Sequence, residues 1–196
     1  MTQTIEKTAP KAERIAMNGV DVPTFTATLG AVDDNRDIAQ FTFRANGQWL
    51  AGTHSRVTMN GFYGACGEQE REGDHTVEGD HPAVLCGKDN AATPVELLLA
   101  ALASCLTAGI GNIAAMRQVK LNAVDCTIEG DIDLCGILGL DPNVRNGFAG
   151  VRATFRIDGD ADAATLEKIV HQSVARSAVF DVLTNGVPVT VEAIAA

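Results

Sequence analysis

The chain has 196 residues, 46% of them hydrophobic, 20% charged and 5% aromatic, too apolar for a disordered protein and sized for one core. With 25 acidic against 15 basic side chains the formal charge is −10, and no stripe of Lys and Arg offsets it, so nucleic acid is not an expected partner. The five cysteines form no CxxC pair and the four histidines stand at no metal-ligand spacing from them, so neither a metal nor another cofactor is expected.

Residues 1–20 read as a flexible N-terminal arm, polar and without period. The arm lacks the apolar run of a secretory signal, which points to a cytoplasmic protein with reduced thiols. The remainder, 21–196, reads as one domain that opens with a helical extension over about 21–38. There Asp21 is an acceptable N-cap, Pro23 sits near the start, and Val22, Phe25, Leu29 and Val32 recur at helical steps up to Asp33-Asp34-Asn35.

Phe41 and Phe43 alternate with Thr42 and Arg44, and Asn46-Gly47 then predicts a hairpin turn before Trp49-Leu50-Ala51. The acidic, glycine-rich stretch from Gly61 to Gly87 reads as loop. Its two similar pieces, Glu72-Gly73-Asp74-His75 and Glu78-Gly79-Asp80-His81, are too closely spaced for a repeat unit. The His-Asp pairs within them read as a solvated surface rather than a metal site.

Thr93-Pro94-Val95-Glu96 spells a capping box, so a long helix is predicted from there to about Gln118. Leu97 to Met116 carries no charge and is about long enough to cross a bilayer. Its Ala, Gly, Ser, Thr and Asn content and the missing basic flank favour a buried helix instead, and no membrane partner is expected.

From Val124 to Leu134 apolar residues alternate with acids, which predicts a long strand with one acidic face. Asp141-Pro142-Asn143 is a turn signal, and Val151, Ala153, Phe155 and Ile157 alternate with Arg152, Thr154 and Arg156 in a second, antiparallel strand whose arginines could face those acids. Asp162 predicts a helix with Leu166, Ile169, Val170 and Val174 on one face. A short helical piece over Ser177–Thr184, a turn at Asn185-Gly186 and a last strand over Val187–Ile194 complete the pattern. Strands gathered around two core helices without βαβ alternation indicate an α+β fold.

Cys105 lies in the middle of the uncharged helix, and a helical wheel puts Leu98, Ala101, Leu102, Ala108, Gly109 and Asn112 on its side. Mostly small, that face lets another helix approach closely. A cysteine there can be a small core hydrophobe, and it becomes a nucleophile only with a cation or hydrogen-bond donor beside the sulfur.

Thr93 through Leu106, followed by Arg176-Ser177-Ala178-Val179-Phe180-Asp181 and Asn185-Gly186-Val187-Pro188-Val189, resembles the OsmC/Ohr family of osmotically inducible and organic-hydroperoxide-resistance proteins over about residues 40–196. The resemblance implies an OsmC-like fold, an intertwined homodimer with antiparallel sheets around two long central helices, and an active site at the subunit interface. It implies a thiol peroxidase in which Cys105 attacks an organic hydroperoxide and becomes a sulfenic acid. Arg56 and Glu96 are the candidate catalytic partners of Cys105, and His54, Ser177 and Phe180 the candidate substrate-binding residues.

The chain also departs from the family pattern. Ser177 stands where the family carries its resolving cysteine, and serine forms no disulfide, so an external thiol becomes the expected reductant. The helix-opening proline is followed by Val95 rather than an acid. Glu96, one place later, lies about 13 Å along the helix from Cys105 and could reach only the sulfur of a second subunit. Arg56 falls two positions late after Trp49 for the family's arginine, with His54 closer to the expected place. These departures keep a second reading open: a non-catalytic dimer of the same fold that binds a small apolar molecule at the interface.

Overall fold

Thr93 and Glu96 start the longest element of the fold. In the computed structural model, which describes residues 15–195, helix α2 spans Pro94–Met116. The Thr93 hydroxyl accepts from the Glu96 amide at 3.3 Å, and the Glu96 carboxylate accepts from the Thr93 amide at 2.7 Å. This reciprocal cap satisfies two helix-end donors and is worth about 1 kcal/mol.

The last turns of α2 pack on α4 (Ala163–Ala175), capped by Asp162 as predicted. Ile110, Ile113 and Ala114 meet Leu166 and Ile169, and this core closes against Val124, Phe155 and Ile157 of the hairpin β6 (Leu121–Asp131) and β7 (Gly150–Gly159). The close helix approach implied by the small residues around Cys105 is made by α4 of the same chain. A Cβ on Gly109 would stand 2.2 Å from Ser173 Oγ, and that hydroxyl donates to the Leu106 carbonyl at 2.7 Å.

In the β6–β7 ladder Asp125 lies opposite Arg156 and Glu129 opposite Arg152, as the alternating charges predict. The strand expected to run to Leu134 ends at Asp131. There the Asp133 carboxylate accepts from the Cys135 amide at 2.9 Å and starts a short helix, α3 (Leu134–Ile137). A local side-chain acceptor thus displaces the ladder.

The predicted hairpin turn at Asn46-Gly47 does not form. Both residues belong to β1 (Asn46–Ala51), which pairs with β2 (His54–Met59) across a turn where Gly52 adopts φ +60°. Phe41 and Phe43 leave the expected strand to pack on Phe62, the first stacked and the second tilted, and Thr42 bridges to Tyr63. Two glycine-bearing turn signals competed, and tertiary pairing chose the second.

The stretch Gly61–Gly87, expected as loop, carries three strands too short to show a period. These are β3 (Phe62–Gly64) with β4 (Gly67–Gln69), and β5 (His75–Gly79), which joins β2 to give a three-stranded order β1-β2-β5.

Helix α1 (Val22–Asp34) starts at Asp21, whose carboxylate accepts from Thr24 N at 3.0 Å, and buries Val22. Most of the expected N-terminal arm, residues 1–14, lies outside the described residues. Its last part is fastened to the α2–β6 turn, where Asn18 donates to the Val119 carbonyl and accepts from the Leu121 amide, each at 2.9 Å. Helix α5 (Ala178–Asn185) follows α4 and ends at Gly186. The last strand expected, Val187–Ile194, pairs with no strand among the described residues, and its valines are exposed.

Candidate active site

Cys105 sits half-buried on α2 beside the α4–α5 junction. There Ser177, buried, is the N-cap of α5: its hydroxyl oxygen accepts from the Phe180 amide at 3.1 Å and donates its hydrogen to Cys105 Sγ at 3.1 Å. An amide of the helix start therefore polarises the hydroxyl that faces the sulfur, and such linked hydrogen bonds reinforce one another. The arrangement supplies a donor to negative charge on Cys105. Serine at this position has a geometric role that does not require a second thiol.

The sulfur opens on a cavity of about 340 Å³ between α1, α2 and α4. Phe25 and Leu29 of α1 and Ile113 and Met116 of α2 give it apolar walls, and Arg117 and Arg176 line it as well. Gly109 and Asn112 lie on this wall, as the helical wheel predicts. Leu98 and Leu102, assigned by the wheel to the same side, instead line a second cavity of about 500 Å³ across α2, together with Phe180 and Leu183. Phe180 thus bonds to Ser177 through its backbone amide and lines that other cavity.

The remaining candidates are not gathered at the sulfur within one chain. Arg56 donates through Nε and Nη2 to Glu78 Oε1 at 2.8 and 2.7 Å, and His54 Nε2 meets Glu78 Oε2 at 2.8 Å. The Arg56 guanidinium, with His54 second, holds the Glu78 carboxyl below the usual glutamate range. Glu96 is held in the cap, and the Thr93 amide and hydroxyl lower its carboxyl likewise. On the way from β5 to α2, Asp80 is 1% exposed and accepts from Thr53 Oγ1 at 2.6 Å and from the His81 and Asn90 amides. Those bonds, the Thr53 hydroxyl first, hold its carboxyl far below the aspartate range, so a buried anion ties the loop that delivers Thr93 to its capping position.

Sequence reasoning missed Arg117, Arg176 and the α1 wall. Arg176 was legible as the neighbour of Ser177. Arg117 had no signal beyond its place at the end of α2.

Residues 87–192, more than half of the chain, match the family model described as OsmC-like protein. The chain belongs to that family. OsmC-like architecture is also found in solved structures similar to this one. One is from Psychrobacter arcticus 273-4, a protein whose description names osmotic stress induction and a detoxification response: 16% identity, 72% of this chain and 88% of that one, TM-score 0.54. Another is an OsmC like protein from Mycoplasma pneumoniae, with 12% identity over 72% of this chain and 86% of that one, and a TM-score of 0.54. At these identities the likeness speaks for the fold alone. No curated protein sequence matches this OsmC-like chain.

Proposed function

We propose that this OsmC-like protein is a thiol peroxidase that reduces organic hydroperoxides through Cys105. The observation that carries the reading is the Ser177 hydroxyl donating to Cys105 Sγ at 3.1 Å beside a largely apolar cavity. The thiolate attacks one peroxide oxygen, an S–O bond forms as the O–O bond breaks, and the alkoxide leaves and takes a proton to become an alcohol. Sulfur is oxidised to sulfenic acid and the peroxide is reduced. With serine at position 177, one external thiol converts the sulfenic acid to a mixed disulfide with loss of water. A second thiol then releases Cys105 as thiol.

The working unit is a homodimer. Exposed Phe43, Trp49, Val189 and Val191 leave apolar surface for a second copy. Since Arg56, His54 and Glu96 are engaged away from Cys105 in their own chain, any part they take at the sulfur is assigned to a second copy. All five cysteines are unpaired, which suits a cytoplasmic setting.

The test is cumene hydroperoxide added to the purified protein, with sulfenic acid trapped and located by mass spectrometry. Stoichiometric modification at Cys105 and loss of peroxide consumption in Cys105→Ser are expected. An unmodified Cys105 would overturn the reading in favour of a non-catalytic binder of small apolar molecules, and a Cys105→Ser variant of normal rate would remove the nucleophile.

A further inference from the structure

With serine at position 177 the sulfur of Cys105 has to meet two unlike reagents in turn, an apolar hydroperoxide and then thiols that arrive from water. Helix α1 stands beside that sulfur: Phe25 and Leu29 line the cavity on which Cys105 opens. The rest of the helix is turned to solvent, with Thr24, Thr26, Ala27, Thr28, Gly30 and Ala31 exposed.

Helices α2 and α4 are fixed by a shared core, whereas Val22 is the one buried residue of α1. Among the described residues, none from 21 to 40 forms a hydrogen bond or ion pair outside that stretch; Asp21, Thr24, Thr28, Asp33, Asn35 and Asp37 bond only within it. The stretch is fastened on either side instead. Asn18 bonds to the α2–β6 turn before it, and Thr42 bridges to Tyr63 after it.

The helix is also weak in its own sequence. Its 13 residues are near the length at which an isolated helix is marginal, and Thr24, Thr26, Thr28, Gly30 and Val32 are poor helix formers. Asp33 and Asp34 stand at the negative end of the helix dipole with no basic residue in the last turn. An element with little burial and no outside bonds opens at a small fraction of the cost of unfolding the whole chain.

We propose that residues 21–40 form a strap that gates Cys105. Closed, α1 completes the apolar wall beside the sulfur; released between its two fastenings, it unwinds and admits a bulky reagent to Cys105. The gate goes beyond the peroxidase reading and rests on it only for the two visitors, the hydroperoxide that reacts behind the closed wall and the external thiol that enters when the strap lifts.

The gate is tested without peroxide, by alkylating the reduced full chain with iodoacetamide or with the much larger fluorescein maleimide and locating each label by mass spectrometry. Exposed Cys66 and half-buried Cys126 on β6 serve as internal references. The ratio of large-reagent to small-reagent rate should be roughly tenfold or more lower at Cys105 than at Cys66. Ala27→Pro, which breaks α1 at an exposed site, should raise the Cys105 ratio toward that of Cys66. Gly30→Ala, where an added Cβ meets nothing within 4 Å, steadies the helix and should lower the Cys105 ratio roughly two- to fivefold. Labelling of Cys126 should not change in either variant, and Gly30→Ala keeps the test decisive if a rise at Cys126 shows that Ala27→Pro loosens the whole fold. Equal ratios at Cys105 and Cys66 in the unaltered protein, or a Cys105 ratio that Gly30→Ala or a folded Ala27→Pro leaves unchanged, would overturn the gate. Cumene hydroperoxide that yields no sulfenic acid at Cys105 would overturn the peroxidase reading and leave the gate standing.

Discussion

Ile110, Ile113, Ala114 and Ala115 of helix α2 are buried on the side of α4 and the β6–β7 pair, whereas Val95 and Leu98 at its other end keep 37% and 39% of their surface exposed. Both ends are equally apolar in composition, so hydrophobicity alone does not decide which is core. The second half holds the chain together. The first half, with Cys105 at the boundary, faces two cavities and leaves apolar surface exposed. A helix uncharged from Leu97 to Met116 serves both purposes because its residues need not all be buried by the same partner.

Substitutions should separate the two halves. The largest effect belongs to Ile110→Ala, which empties a fully buried site and should cost about 2–5 kcal/mol in denaturant unfolding. Leu98→Ala should cost less than about 1 kcal/mol in the same measurement and instead shift sedimentation toward monomer. Equal losses at the two sites would erase the distinction drawn between them. Next comes Gly109→Ala, where the added carbon meets Ser173 Oγ and the α2–α4 seam must open, at about 1–3 kcal/mol.

At the boundary, Ser177→Ala removes the donor from the sulfur. A hydrogen bond to a charged group is worth about 1.5 kcal/mol or more, so stopped-flow oxidation of Cys105 should slow roughly tenfold. Ser177→Cys puts a second sulfur where an oxygen now lies 3.1 Å from Sγ, and one equivalent of peroxide should then yield an intrachain disulfide with Cys105 visible by mass.

The smallest effect concerns the sheet that carries Arg56. Glu78 has its folded-state pKa lowered by Arg56 and His54, so its contribution to stability is complete above the ordinary glutamate value of about 4.3. That contribution is lost as the pH falls from there through the lowered folded value. Glu78→Gln should therefore melt below the unaltered protein at neutral pH, with the gap narrowing on acidification beneath about pH 4.3.

Local signals were the readable ones. Thr93-Pro94-Val95-Glu96, Asp21 and Asp162 each declared a helix start through a bond three residues long, and the alternation on β6 and β7 declared paired strands down to the facing charges. Asn46-Gly47 misled because an equally good turn glycine, Gly52, lay five residues after Gly47, and the register of β2 against β1 chose between them. Strands β3, β4 and β5 escaped notice because three to five residues hold too little pattern to show a period.

The amino-acid order by itself determined helices α1, α2, α4 and α5, the long strand pair, the family and Cys105 and Ser177 as residues to watch. All of these are written in neighbouring residues or in motifs that keep their sequence. Only the tertiary structure decided that those two side chains touch across 72 positions, that Phe180 lines the cavity on the far side of α2, and that Arg117 and Arg176 line one cavity with α1. Such meetings depend on how α4 packs on α2 over Gly109, a long-range packing choice for which no local bond leaves a mark in the sequence.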